Sequence, residues 1–228
     1  MEPEYLPAVE IEPARTPRSA VVWLHGLGAD GHDFEPIVPH LGLDPGLGVR
    51  FVFPHAPARP VTLNGGMVMP AWYDISDLDL RRRQDEEGIL ASSRAATRLL
   101  EREEARGVPS HRIVLAGFSQ GGAIAIHAGL RFPRPLAGLL LLSTYLVGET
   151  VGSPVPPRSS PLPIWQAHGL HDPMVPIRGG ELARDRLREL GFEVSWHAYP
   201  MMHEVCMEEV EAIGGWLGQV LADTDTAP

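Results

Sequence analysis

Short aliphatic and β-branched runs alternate along the chain with longer segments of helical period, the pattern of a parallel sheet whose strands are joined by helices. Ala20-Val21-Val22-Trp23-Leu24 reads as a buried strand, and further strands are expected at residues 50–53, 112–116, 137–142, 163–167 and 193–199. Residues 87–106 carry Ile89, Leu90, Ala96, Leu99 and Leu100 at helical spacing and close at Gly107, followed by Pro109. Residues 122–130 are apolar nearly all round and predict a buried helix, and 179–190 and 204–221 complete the helical set. The acids between Glu204 and Glu211 read as facing water. Two stretches read as irregular: 57–74, with Asn64-Gly65-Gly66 and a Met/Trp cluster, and the proline-rich 148–163. Residues 1–18 read as an irregular arm and 222–228 as a frayed tail.

With 228 residues, 44% of them apolar, one domain spanning 1–228 is expected. The longest apolar stretch, around residues 137–142, falls far short of the roughly 20 residues that cross a bilayer, so no integral membrane contact is expected. The opening Met-Glu-Pro-Glu-Tyr lacks the basic start and apolar core of a signal peptide. A single cysteine, Cys206, permits no internal disulfide and reads as a small buried hydrophobe, which agrees with a cytoplasmic address. The net charge of −10 argues against nucleic acid as a partner. The one basic run, Arg81-Arg82-Arg83, is followed by Asp85-Glu86-Glu87 and reads as a self-paired surface. Monomer and homodimer are both compatible with these features.

Candidate chemistry begins at Gly117-Phe118-Ser119-Gln120-Gly121. The pattern G-x-S-x-G is weak alone, but here it directly follows a predicted strand and directly precedes a predicted helix, the setting of a nucleophile elbow. Such a turn strains the serine backbone and needs glycines on either side for strand and helix to approach. It presents Ser119 at a helix N-terminus, where free N–H groups favour developing negative charge.

A serine hydroxyl needs a histidine to take its proton, and the histidine needs a carboxylate to fix its tautomer. In this class of elbow the chain order is Ser, acid, His. His203 lies in the loop after the last strand and before the last helix, where a side chain can reach over the sheet edge. His127, His168, His171 and His197 are placed less well. Asp172, in the loop after the strand at 163–167, is the natural acid, because Glu181 and Asp185 read as helix surface charges. An oxyanion hole would use the N–H of Gln120 and a second from the glycine loop His25-Gly26-Leu27-Gly28-Ala29-Asp30-Gly31, where Leu27 is the best placed.

Specific segments, correctly ordered, then resemble the carboxylesterase and acyl-protein thioesterase family over nearly the whole chain. They are Trp23-Leu24-His25-Gly26-Leu27-Gly28, Phe53-Pro54-His55-Ala56-Pro57, Pro60-Val61-Thr62-Leu63-Asn64-Gly65-Gly66-Met67, Pro70-Ala71-Trp72-Tyr73-Asp74, residues 117–122, His168-Gly169, Asp172, Val175-Pro176 and His203-Glu204-Val205-Cys206. The resemblance implies an α/β-hydrolase fold, with a mainly parallel central sheet, helices on both faces and no large cap. It also implies a Ser119-Asp172-His203 triad, an oxyanion hole from Leu27 and Gln120, and hydrolysis of acyl esters or thioesters. The expected substrate is a small-molecule ester or thioester of short to medium acyl chain, and the triad chemistry needs no cofactor or metal. A loop like 61–72 covers the acyl groove in that family. Met67, Met69, Trp72, Met174 and Met201, with Leu63 and Val175, are therefore the expected acyl-contacting residues. The loop at 31–35 and the proline-rich stretch depart from the family pattern.

Two other readings were weighed. His168-x-x-His171-Asp172 contains metal-ligand types, but it lacks helical presentation and a third ligand set. A binding protein on a hydrolase fold would have no use for an intact triad.

Overall fold

The computed structural model describes residues 5–76, 84–147, 155 and 161–222. The expected surface run at Arg81 to Arg83, most of the proline-rich stretch and the expected tail lie outside these residues.

Among the described residues strands form at Ala8–Ile11 (β1), Ser19–Leu24 (β2), Val49–Pro54 (β3), Ala58–Val61 (β4), Met67–Pro70 (β5), Ile113–Phe118 (β6), Gly138–Leu142 (β7), Ile164–Gly169 (β8) and Val194–Tyr199 (β9). In the same residues α-helices occupy Glu86–Ala105 (α1), Gln120–Arg131 (α2), Ile177–Glu189 (α3) and Met207–Val220 (α4). Seven strands make one sheet in the order β1-β3-β2-β6-β7-β8-β9, with every pair parallel except β1 with β3. The sequence-based strands and helices lie within a few residues of those observed.

Central strands β2, β3, β6, β7 and β8 are buried at every position, because helices cover both faces and neither side can be polar. Alternate residues separate into two cores. Val22, Leu24, Leu115 and Leu141 face α1, α2 and α3, whereas Val21, Trp23, Val114 and Leu140 face α4 and a 3-10 stretch at Glu35–Leu41. α1 begins where Asp85 caps it by accepting the Gly88 N–H at 2.9 Å, and glutamates at 86 and 87 suit the positive end of the helix dipole.

Three sequence-based expectations are corrected. The arm at 1–18 is not wholly irregular: β1 pairs with the edge of β3, tied there by Glu10 and Glu12 to Arg50, Arg102 and Arg106. Four residues with a half-buried face are too short a signal to stand out as a strand. Residues 57–74 contain the hairpin β4–β5, because Gly65 (φ 67°) and Gly66 (φ 79°) reverse the chain and the Gly66 N–H returns to the Val61 carbonyl at 3.0 Å. Finally, Glu209 does not face water. It is fully buried in the first turn of α4, and burial raises its carboxyl to about 8.

Candidate active site

The C-terminal ends of β6, β8 and β9 converge on three side chains. At the turn from β6 into α2, Ser119 adopts φ 52°, ψ −119°, a region that L-residues avoid. The local packing explains how it persists. A Cβ on Gly117 would lie 2.5 Å from the Gly121 carbonyl group, and one on Gly121 would collide with the carbonyls of Leu24 and His25. The Ser119 N–H donates to the Leu142 carbonyl at 2.9 Å, and its own carbonyl accepts from the Thr144 hydroxyl at 2.7 Å. Both peptide groups of the strained residue are therefore clamped to the segment formed by β7 and its following loop.

The Ser119 Oγ lies 2.9 Å from His203 Nε2, and His203 Nδ1 lies 2.6 Å from Asp172 Oδ2. Eighty-four residues separate the serine from the histidine in sequence. The Phe118 ring, 4.7 Å from the His203 ring between centroids, backs the imidazole. Asp172 Oδ1 accepts the N–H groups of Val175 at 2.8 Å and Met174 at 2.9 Å, which folds the loop after β8 around the carboxylate. Burial opposes ionisation of Asp172, but His203 and these two N–H groups outweigh it and hold the carboxyl below its ordinary value of 3.8.

Above Ser119 the loop after β2 is fixed at several points. Buried His25 donates from Nδ1 to the Gly26 carbonyl at 2.7 Å, and its Nε2 accepts the Ala56 N–H at 3.1 Å. Desolvation lowers its pKa, in agreement with this neutral tautomer. The Trp72 indole N–H donates to the His25 carbonyl at 2.8 Å, and the Gly28 N–H donates to Pro70 at 2.9 Å. Among the described residues the Leu27 N–H makes no hydrogen bond to protein. The Gln120 N–H, in the first turn of α2, has no intrahelical partner. Among the described residues neither donor is taken up by a protein acceptor.

The expected acyl-contacting residues divide into two sets. Leu63, Met67 and Met174 are exposed and Met69 is half-buried on the hairpin. Trp72, Val175 and Met201 are buried, against the expectation that they meet an acyl chain at the surface; for Trp72 the cause is its indole N–H, which finds its acceptor inside, on His25.

Sequence reasoning gave no positioning role to His25, to the Gln120 side chain or to His168, which it set aside as a base and as a metal ligand. Fully buried His168 donates from Nε2 to the Val175 carbonyl at 2.8 Å, 3.6 Å from Asp172 Oδ2, and so props the acid loop. Its place at the end of a strand feeding that loop was the available signal. Cys206 is half-buried at the N-cap of α4 rather than fully buried, because a cap position sits at the helix margin. Among the described residues, no cluster of three or more His, Cys, Asp or Glu side chains could hold a metal ion, and no helix is long and apolar enough to cross a membrane. A groove of about 550 Å³ between α4 and the 35–47 segment, lined by Leu41, Asp44, Leu47, Glu211 and Gly218, contains none of the three site residues.

A model of the phospholipase/carboxylesterase family matches residues 7–221. The acyl-protein thioesterase 1 of Neurospora crassa is 41% identical over 215 residues, covering 89% of this chain and 87% of that protein. Among solved structures, Arabidopsis thaliana SOBER1 superposes with a TM-score of 0.82 at 31% identity, covering 90% of this chain and 99% of that one. Acyl-protein thioesterase 2 of Zea mays gives 0.82 at 28% identity, covering 96% and 100%.

Proposed function

Because the chain belongs to the phospholipase/carboxylesterase family of α/β-hydrolases and is a carboxylic ester hydrolase, we propose that it acts through an acyl-enzyme on Ser119, with His203 as general base and acid and Asp172 as the group that orients it. The observation that carries this reading is the unbroken path from Ser119 Oγ through both His203 nitrogens to Asp172, at 2.9 and 2.6 Å.

In the acylation step His203 Nε2 takes the hydroxyl proton as Oγ attacks the acyl carbon. The carbonyl oxygen becomes an oxyanion held by the N–H groups of Leu27 and Gln120, at the positive end of α2. The protonated imidazole is stabilised by the ionised Asp172 and then delivers its proton to the departing alcohol or thiol. Water repeats the sequence on the acyl-enzyme, and the carboxylic acid leaves.

The substrates we assign are esters and thioesters of short to medium acyl chains, contacted by Leu63, Met67, Met69 and Met174. Unbranched thioether side chains adapt to a chain without strict demands on shape. Thioesters are included because the relatives are named acyl-protein thioesterases, and the same attack serves either leaving group. A reducing compartment such as the cytoplasm suits a chain with one cysteine.

The test is a rate series over p-nitrophenyl esters of increasing chain length, with Ser119→Ala as the control. Activity should peak at short to medium chains and fall by roughly 10³-fold or more in the variant. Near-full activity of Ser119→Ala would end the assignment.

A further inference from the structure

The chain has seven methionines, and the six after Met1 fall in three segments: the β4–β5 hairpin, the loop that carries Asp172, and the stretch around His203 that leads into α4. Met67 and Met69 form the outer strand of the hairpin, and the Met69 sulfur lies 3.7 Å from where a Cβ on Gly28 would stand, one residue beyond Leu27. Met174 follows Asp172 by two residues and gives it a backbone N–H. Met201 and Met202 immediately precede His203, and Met207 opens α4. Methionine is ordinarily among the buried residue types, yet Met67, Met174, Met202 and Met207 are 64%, 69%, 55% and 52% exposed, the first three on the hairpin and on the loops that carry Asp172 and His203 and the last on α4. The one thiol competes poorly for oxidants, because burial pushes the half-buried Cys206 up and leaves little thiolate.

Resting on the assignment of Ser119 as nucleophile and of this rim as the acyl mouth, we propose that Met67, Met174 and Met202 form an oxidation site. There a peroxide converts thioethers to sulfoxides and shifts acyl selectivity away from longer chains. The thioether sulfur attacks one peroxide oxygen and an S–O bond forms as the O–O bond breaks. Sulfur loses two electrons, and hydrogen peroxide leaves as water. Each event replaces a flexible apolar contact by a strongly hydrated oxygen. A long acyl chain crossing the rim must strip that hydration, whereas a two-carbon acetyl group buries too little apolar surface to require it. No thioether lies on the path from Ser119 through His203 to Asp172, so the chemistry on a short ester is retained.

The experiment treats the full-length protein with hydrogen peroxide and locates added oxygen by peptide mass spectrometry. Hydrolysis of p-nitrophenyl acetate and p-nitrophenyl dodecanoate is then measured, each protein against its own untreated sample. Oxygen should appear on Met67, Met174 and Met202, and on equally exposed Met207, ahead of buried Met201. The rate constant kcat/KM should fall roughly tenfold for dodecanoate and less than about twofold for acetate, and methionine sulfoxide reductases should restore the former. In the triple variant Met67→Leu, Met174→Leu, Met202→Leu, which keeps side-chain volume and removes sulfur, the peroxide effect on dodecanoate should vanish. Parallel loss on both esters, a leucine variant as sensitive as the parent, or oxidation confined to Cys206 would each overturn the proposal. An untreated protein inert toward both esters would instead refute the nucleophile assignment, and the proposal with it, before any peroxide is added.

Discussion

The side-chain amide of Gln120 is bonded to the backbone around Trp72: its Oε1 accepts the Trp72 N–H at 2.9 Å and its Nε2 donates to the Tyr73 carbonyl at 2.8 Å. The residue whose N–H is proposed to hold the oxyanion thus also anchors the segment that leaves the β4–β5 hairpin. The Ser92 hydroxyl donates to the Trp72 carbonyl, so both backbone polar groups of Trp72 are satisfied without water. Gln120→Ala would leave a buried N–H and a buried carbonyl unpaired. A loss of about 1–3 kcal/mol in urea unfolding is expected, together with faster proteolysis at residues 62–66. An unchanged cleavage rate there would mean that the hairpin does not depend on Gln120.

Asp172 supplies the second prediction. Its pKa is depressed in the fold, so its stabilising effect is complete above the ordinary value of 3.8 and is lost as pH falls through the lower folded value. Asp172→Asn should therefore flatten the acid limb of the stability profile below about pH 4. It should also lower kcat by about 10⁴-fold, because an amide no longer holds the productive His203 tautomer. Thermal melts across the acid range and ester kinetics at neutral pH check the two parts separately.

Strain at Ser119 is a cost to stability that a glycine would relieve. Ser119→Gly should melt higher than Ser119→Ala, since alanine keeps the strained φ of 52° and glycine does not. Relief of order 1–3 kcal/mol exceeds the extra freedom glycine gains when unfolded. The net gain of about 1 kcal/mol corresponds to roughly 2–4 °C in a chain of this size. Both variants should be inactive. A glycine variant that melts at or below the alanine variant would show that the strained backbone is not a store of energy.

What could be read from the sequence depended on whether one local signal carried the information. The turn at Ser119 was legible because its geometry demands glycines at 117 and 121, and Asp172 and His203 because parallel strands deliver their following loops to one edge of the sheet. The β1 strand was not legible, since its pairing with β3 is set by ion pairs to α1 that are distant in sequence. Nor was the inward position of Trp72, which depends on the His25 carbonyl 47 residues away. Glu209 could have been found. It stands four residues before Ile213 and eight before Leu217, in phase with the buried stripe of α4, and only its charge made it read as surface.

Glu209 also supports the last prediction. Its carboxyl is raised from 4.5 to about 8 by burial, against the partial relief of a backbone N–H at Cys206. Tyr199 and Cys206 beside it are themselves pushed up by burial first and by this carboxylate second or further, and among the described residues no cation acts to favour its ionised form. Below pH 4.5 folded and unfolded chains both hold the proton. Between 4.5 and about 8 the unfolded chain has released it and the folded chain has not, so stability declines as pH rises and levels off above the folded value. Glu209→Gln carries no such titration and keeps the side-chain shape. The melting temperature of the variant, minus that of the parent, should therefore rise steadily between pH 5 and 8. A difference that stays constant over this interval would mean that Glu209 is already ionised in the folded protein.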